Sequence, residues 1–375
     1  MSVTPKKKSA RLLTFDLLRG YFLVSIVLNH LYWYPNGLDW IAARGDLFVT
    51  AAEGFFLISG IILGIARGRK LVSQPFRTAA SLLLKRGVVL YITSITLMLL
   101  FTLIGWWFFM DDPGLKAGIR PPSEPFGDVL AGALSFTYIY GWADYLRLYS
   151  LFILISPVAL WLLRKKLWYV LIAASVALWL AFPSEGATTR SPELLMPIAW
   201  QLIFFSGFTI GFYWDNLVSR WGALSKKLRT AITSTVVSIA IATIILNVLI
   251  VFTKDLAGPL GAWSSDTFRS LSPYLVKESL PIGRLLLFAI WFWFGFWLFK
   301  KFEPQIIRWF GWILLPFGSN SLYVYIVHAI ILFFAHIIML EASSNPIVNL
   351  IGSAIVIGII WLCVHYKVLM KIIPR

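Results

Sequence analysis

Long apolar stretches separated by short polar turns dominate the chain, and this pattern predicts transmembrane helices. Ten such stretches occur, at residues 17–36, 47–66, 87–109, 148–163, 167–183, 196–214, 230–252, 284–299, 316–340 and 347–366. At 1.5 Å per residue, most of them are long enough to cross a hydrocarbon layer of about 30 Å. The sequence therefore predicts an all-α polytopic membrane protein with about ten transmembrane helices, in which residues 1–375 form a single bundle.

Composition agrees with a membrane environment. Hydrophobic residues make up 59% of the chain and charged residues only 13%, whereas roughly a quarter of the residues of a soluble protein are charged. The single cysteine, Cys363, excludes an intramolecular disulfide and a cysteine-rich metal centre. No metal and no permanently bound cofactor is expected.

The basic residues are distributed unevenly between the two sides of the predicted bundle. If the N-terminus is cytoplasmic, 24 of the 33 Lys and Arg residues fall on the cytoplasmic side and 13 of the 17 acidic residues fall on the other. The positive-inside rule then predicts that both termini are cytoplasmic, with residues 1–13 forming a basic tail. Topology accounts for the net charge of +16, so no nucleic-acid partner is expected.

Two long segments, 110–146 and 253–283, are predicted to be outer loops. Loops of this length in a compact protein are often functional. The first contains a Gly- and aromatic-rich stretch at 136–142, which is predicted to lie over the mouth of a cavity.

Ionisable residues within the first predicted helix indicate a working site. A charged side chain in hydrocarbon costs several kcal/mol, so those that occur usually face a cavity or a partner. Arg19 and His30 are eleven residues apart, about three helical turns, and therefore lie on one stripe of the helix. Asp16 precedes Arg19 by one turn and is expected to pair with it. Arg19 also has a simpler interpretation, as a positively charged anchor at the cytoplasmic interface.

The second predicted helix combines an acid with a ridge of small residues. Gly60, Gly64 and Gly68 recur every four residues, a spacing that lets another helix approach closely. Glu53 lies seven residues before Gly60 and shares its face. The sequence therefore predicts a pair between His30 and Glu53, in which the carboxylate fixes the imidazole tautomer as the acid of a catalytic triad does.

The motif Asp16-Leu-Leu-Arg19-Gly20 followed by His30 resembles the Arg-x10-His motif of transmembrane acyltransferases. More specifically, it resembles OpgC-like proteins, which are related to the acyltransferase-3 family. Further blocks are similar to that family, at residues 51–60, 148–157, 197–207 and 318–328. The resemblance thus extends over most of the chain.

The resemblance implies transfer of an acyl group, succinyl or acetyl, from a cytoplasmic acyl-CoA to a hydroxyl of a periplasmic or extracellular glycan. It further implies a multi-pass protein of the bacterial inner membrane in contact with lipid. His30 is then the general base and Arg19 its motif partner, with Glu53 as the third catalytic residue. The oligomeric state stays open.

Other residues receive roles within this interpretation. The phosphates of coenzyme A are expected at Arg19 and at a basic turn that contains Arg67, Arg69 and Lys70. The acceptor glycan is expected at Trp200, Gln201, Tyr149, Ser321 and His328. Structural support is expected from Asp16, Ser59 and Gly60. His336 and His365, near the ends of predicted helices, are interpreted as structural.

Two other classes of protein stay open at this point. A carrier or flippase for a lipid-linked or anionic solute would use the same buried His and Arg without bond chemistry, and it would work without thioester consumption. A scaffold protein of an envelope complex would keep its function after neutralisation of His30 and Glu53.

Overall fold

The structure, a computed structural model, describes residues 13–65, 74–112, 119–142, 144–181 and 192–373. These residues form α-helices joined by turns, and the described part of the chain contains no strand. The α-helices are, in chain order, α1 Leu13–Leu31, α2 Asp39–Ala42, α3 Ala51–Leu63, α4 Phe76–Phe108, α5 Phe126–Ser135, α6 Asp144–Arg164, α7 Trp168–Leu180, α8 Pro192–Phe212, α9 Trp214–Ala223, α10 Lys226–Thr253, α11 Pro259–Leu271, α12 Ile282–Lys301, α13 Glu303–Ser319, α14 Ser321–Ile338 and α15 Pro346–His365.

The prediction of an all-helical membrane protein is confirmed in its main feature. By length and composition, six of the described helices could cross a membrane, namely α4, α6, α10, α12, α14 and α15. A seventh span is possible if α8 and α9, which bend by 71° at their junction, count as one. The ten crossings and the orientation of the termini stay predictions.

The helix bounds differ from the predicted stretches, and two of the differences concern the helices that carry the site. The stretch 316–340 is divided at Asn320, because α13 ends at Ser319 and α14 begins at Ser321. The first stretch, 17–36, is helical only as far as Leu31. The chain then turns back along α1, where the Tyr21 hydroxyl donates to the Ile41 carbonyl over 2.6 Å.

Helix α3 begins where its own residues cap it. Thr50 and Glu53 form a capping box, in which the Glu53 carboxylate accepts the backbone N–H of Thr50 over 3.2 Å. The Thr50 hydroxyl also bonds to this carboxylate. A capping box satisfies N–H groups that the first turn of a helix cannot pair internally.

The glycine ridge of α3 packs against α8. A Cβ atom added at Gly60 would lie 2.2 Å from the Phe204 carbonyl oxygen, and one added at Gly64 would lie 2.5 Å from that of Phe208. The two backbones are therefore in direct contact, as small residues allow between membrane helices. The predicted role of Gly60 in structural support is consistent with this contact, whereas Gly68 lies outside the described residues.

We expect Gly60→Ala to destabilise the protein by about 1–3 kcal/mol, because the added methyl group must push α3 and α8 apart. Thermal unfolding of the detergent-solubilised protein measures the effect. Gly358→Ala in α15 is the matched control, since a Cβ atom there meets nothing within 4 Å. An unfolding temperature equal to that of the wild type for Gly60→Ala would contradict the close packing.

Helix α1 occupies the centre of the protein and packs against α3, α12, α13 and α14. Its contact with α13 is as close as that between α3 and α8, with Gly20 against the Leu314 carbonyl and Gly318 against the Asp16 carbonyl. α13 and α14 follow each other along the chain, so the close approach of α13 also brings α14 against α1.

The two predicted outer loops contain helices of their own, α5 in 110–146 and α11 in 253–283. The first loop is fastened to α4 by several hydrogen bonds. The Tyr91 hydroxyl donates to the Leu134 carbonyl over 2.6 Å, and the Trp106 indole donates to the Arg120 carbonyl over 2.8 Å. Each bond joins an aromatic side chain of α4 to loop backbone, which fixes the course of the loop above the helices.

Candidate functional site

The first polar cluster lies around Arg19 in the middle of the bundle. The Arg19 guanidinium donates to the Ser321 hydroxyl, so that α1 and α14 are joined here. Phe55 of α3 lies beside the same guanidinium, with its ring centroid 6.0 Å from the Arg19 Cζ. The cavity at this point is lined by Arg19, Phe55, Ser59, Arg86, Tyr145, Leu146, Tyr149, Ser321, Leu322 and Tyr325.

This cavity is small and is lined by two basic residues. Arg19 and Arg86 line it together with Tyr149, and its volume of about 20 Å³ has room for about one water molecule. The buried hydroxyl of Ser59 has no hydrogen-bond partner among the described residues. A buried polar atom of this kind is normally paired, so the cavity offers an unused hydrogen-bonding group to a ligand or water.

The second polar cluster is formed by two histidines. His30 Nδ1 lies 3.1 Å from His328 Nε2, within hydrogen-bonding distance. His328 has no exposed surface, and its Nδ1 is hydrogen-bonded to the Tyr325 carbonyl oxygen. The Arg19–Ser321 and His30–His328 contacts both join α1 to α14, which shows that the two helices run in the same direction.

An aromatic side chain from the first outer loop covers His30. The Trp142 ring stacks on the imidazole, with centroids 4.3 Å apart and an angle of 17° between the planes. Arg147 of α6 fixes the position of this loop, because its guanidinium donates a hydrogen bond to the Phe136 carbonyl. Burial raises the pKa of Tyr140 in the same stretch above its usual value. The stretch 136–142 thus supplies the ring that covers one face of His30, whose side chain is only half-buried.

The second outer loop reaches the same aromatic cluster. The Lys277 ammonium lies 5.3 Å from the centroid of the Tyr145 ring, which is itself 6.3 Å from the His30 ring. The Lys277 backbone carbonyl accepts the indole N–H of Trp200 over 3.1 Å. Both long loops therefore contribute side chains to the surroundings of His30.

Glu53 does not pair with His30, and the prediction of that pair is wrong. Its carboxylate binds the Arg284 guanidinium, with 2.7 Å between Oε1 and Nε, and both side chains are almost completely buried. A guanidinium neutralises a buried carboxylate and supplies several donors at once, which a neutral imidazole does not. In addition, Gly54 packs on Phe22, which places Glu53 about two turns of α1 away from His30.

Arg284 also organises the loops on either side of the ion pair. It donates to the Leu47 carbonyl over 3.1 Å and to the Leu275 carbonyl over 2.7 Å. The pair thereby holds the start of α3 next to the end of the second outer loop. Its role is the positioning of backbone, and Glu53 is not available as a catalytic residue.

Two residues expected at the acceptor site contact the protein itself. The Trp200 side chain is completely buried, and Gln201 donates to the Ser175 carbonyl over 2.7 Å. Neither presents an open surface to a sugar, so both are corrected to packing residues. Tyr149 and Ser321, from the same predicted group, do lie in the Arg19 cavity.

The remaining predicted residues are spread more widely. Asp16 lines a groove at the start of α1, together with His365, which stacks on Trp361 with centroids 5.0 Å apart. His336 lies within 3.4 Å of the Leu31 carbonyl oxygen. Arg67, Arg69 and Lys70 lie outside the described residues. No three His, Cys, Asp or Glu side chains of the described chain come together as a metal site would require.

The sequence interpretation missed several residues of the site. Arg284 had a readable signal, since it begins a predicted span on the outer side, where basic residues are few. Trp142 belongs to the aromatic stretch 136–142 that was predicted to lie over a cavity, but its stacking on His30 was not predicted. Arg86 and Lys277 had no comparable signal, because their positions depend on how α4 and the second loop fold.

Residues 11–372 match a family model described as OpgC protein. The match covers nearly the whole chain and includes both polar clusters. No curated protein matches the sequence.

Proposed function

The chain belongs to the OpgC family, and on this basis we propose that it is a membrane O-acyltransferase that modifies glucans. The acyl group, succinyl or acetyl, comes from a cytoplasmic acyl-CoA and is passed to a hydroxyl of a periplasmic glucan. The protein then lies in the bacterial inner membrane with both termini in the cytoplasm. The observation that carries the proposal is the alignment of an arginine cavity and a covered histidine pair along one stripe of α1.

His30 is the general base in this proposal. The imidazole takes the proton of the acceptor hydroxyl as its oxygen forms a bond to the thioester carbonyl carbon. The carbon–sulfur bond then breaks, and the proton passes from His30 to the departing thiolate. One ester and one free thiol result, without a metal ion or a redox step.

The charged end of the donor binds at Arg19 and Arg86, where the cavity of about 20 Å³ must widen to admit a phosphate or carboxylate group. Along α1, Arg19 and His30 are separated by about 16 Å, a distance that a flexible thioester arm can span. Guanidinium groups bind phosphate and carboxylate groups through paired hydrogen bonds, so Arg19 and Arg86 suit either the donor phosphates or a succinyl carboxylate. Ser59 offers a further hydroxyl to the same ligand.

The acceptor approaches from the side of the two outer loops. Trp142 and Tyr145 flank His30 with flat apolar surfaces of the kind on which sugar rings stack. The same rings cover part of the half-buried imidazole and so limit the access of water to the reacting thioester.

Mass spectrometry of envelope glucans from cells with and without the protein tests the activity. We expect a mass increase equal to one acetyl or succinyl group per modified hydroxyl, which depends on the protein. Unmodified glucans in both cell types, together with transport of a solute by the purified protein in vesicles, would support a carrier instead.

We expect Arg19→Gln and Arg86→Gln each to raise the KM for acyl-CoA by about 10- to 100-fold, because each removes a charge-assisted hydrogen bond worth about 1.5–3 kcal/mol. The rate of thiol release at increasing donor concentration measures the effect. Arg77→Gln is the matched control, since Arg77 lies exposed on the same helix as Arg86. An unchanged KM in both cavity variants would exclude the cavity as the donor site.

A further inference from the structure

We propose that His328 is a positioning residue that fixes the tautomer of His30 and leaves His30 Nε2 as the basic nitrogen. The inference rests on the proposed function in so far as His30 is the base. The tautomer itself follows from hydrogen-bond geometry alone and is testable without any activity.

The tautomer of His328 follows from its backbone partner. Its Nδ1 is bonded to the Tyr325 carbonyl oxygen, and a carbonyl oxygen only accepts hydrogen bonds. His328 must therefore carry a proton on Nδ1. A neutral imidazole carries one N–H, which leaves His328 Nε2 with a lone pair.

The tautomer of His30 follows in turn. His328 Nε2 can only accept, so the atom 3.1 Å away, His30 Nδ1, must donate. His30 is consequently protonated on Nδ1, and its lone pair lies on Nε2. The Tyr325 carbonyl therefore sets the direction of both hydrogen bonds, from His328 to Tyr325 and from His30 to His328. This carbonyl has no titratable proton and is held in place by its helix.

The arrangement replaces the carboxylate of a catalytic triad with a second imidazole. In a triad, the acid holds the basic histidine in one tautomer and stabilises the imidazolium that forms. Glu53, the carboxylate of the neighbouring helix α3, is bound to Arg284 and does not serve this purpose. His328 is completely buried, so no water competes for its contact with His30.

His328 acts during proton transfer as well as before it. When His30 Nε2 takes the hydroxyl proton, the ring becomes an imidazolium whose Nδ1–H donates to His328 Nε2 more strongly than before. When the proton leaves for the thiolate, both rings return to their starting tautomers. The pair therefore completes the cycle with no net proton gain.

Nitrogen-15 NMR of histidine-labelled protein in detergent micelles reports the tautomers directly. The chain has only four histidines, so single substitutions assign every signal. We expect His30 to show a protonated Nδ1 and an unprotonated Nε2 near neutral pH, and to lose this preference in His328→Ala. A protonated Nε2 on His30, or an unchanged spectrum of His30 in His328→Ala, would overturn the inference.

Acyl-transfer kinetics test the consequence. We expect His328→Ala to lower kcat by about 100-fold with a KM for acyl-CoA within about twofold of the wild type, because the donor cavity is untouched. His328→Gln should recover most of the loss, since its amide oxygen can accept the His30 Nδ1–H. His365→Gln is the matched control and should resemble the wild type, since His365 stacks on Trp361 away from His30.

The outcomes separate the two proposals. If the wild type shows the expected tautomers but transfers no acyl group, the proposed function is wrong. The tautomer assignment of His30 and His328 then remains valid. If the wild type is active while His328→Ala and His328→Gln both keep its kcat, the positioning role is wrong and the function stands. The positioning role would also be contradicted if His328→Ala and His328→Gln lowered kcat equally while the His30 tautomer stayed unchanged in both variants.

Discussion

Replacement of His30 by alanine should abolish acyl transfer while leaving the level of folded protein in the membrane unchanged. The His30 imidazole stacks under Trp142 and contacts His328, so its removal takes the proposed base out of the site. General-base catalysis contributes about 100- to 10,000-fold in rate, which places the variant at or below detection. Thiol release from acyl-CoA and the mass of the acceptor glucan measure the two products of the reaction.

His365→Ala is the control for this variant. His365 stacks on Trp361 in the groove beside Asp16, so its loss removes an imidazole from another part of the protein. The control should retain wild-type activity and a normal amount of protein. Wild-type rates in a well-folded His30→Ala variant would show that another group takes the hydroxyl proton.

Neutralising either member of the Glu53–Arg284 pair should destabilise the protein by about 3–5 kcal/mol, because the charge that remains is buried without a partner. Glu53→Gln leaves the Arg284 cation in a region where 3% of its side chain is exposed. Arg284→Met leaves the anion and also frees the carbonyls of Leu47 and Leu275. Thermal unfolding in detergent should show a fall of the midpoint in both variants.

The double variant Glu53→Gln, Arg284→Met distinguishes the effect of an unpaired buried charge from the effect of the change in side-chain size. It removes both charges, so we expect it to be more stable than either single variant. Arg269→Ala is the matched control, since Arg269 pairs with Asp266 while both side chains are 76% exposed and an exposed pair contributes little. A double variant as unstable as the sum of the two single variants would contradict a coupled pair.

The sequence predicted the working face of α1 because a helix has a fixed period. Arg19 and His30 fall on one stripe whatever surrounds the helix, and the structure places both against α14. The cost of burying such groups in lipid correctly indicated that they face protein. The prediction of close helix packing at Gly60 succeeded for the same reason, since it depends on local spacing.

The partners of these residues depended on the order in which helices pack, which no local pattern contains. Ser321 and His328 approach α1 because α13 packs closely on Gly20 and carries α14 with it. Glu53 was assigned to the wrong partner although a local signal was present. A threonine three residues before a glutamate, ahead of an apolar run, is the signature of a capping box, and Thr50 with Glu53 fits it.

The limits of the membrane prediction have a similar cause. α1 is central to the bundle, yet it is not among the helices that qualify as spans by composition. Asp16, Arg19, Asn29 and His30 lower its mean hydropathy, and these are the residues that contact other parts of the protein. The polar residues of the site are thus the reason that the helix carrying them does not qualify as a span by composition.

The pairing of α1 with α14 has a consequence for biosynthesis. The two side-chain contacts between these helices join residues that are 302 and 298 positions apart. At about 5–20 residues per second, a ribosome needs roughly 15–60 s to deliver the second helix after the first. During that interval the polar groups of α1 lack their partners in α14, so this part of the site can form only after the C-terminal helices arrive. Truncated chains that end before α14 should therefore be recognised by membrane proteases as unfinished.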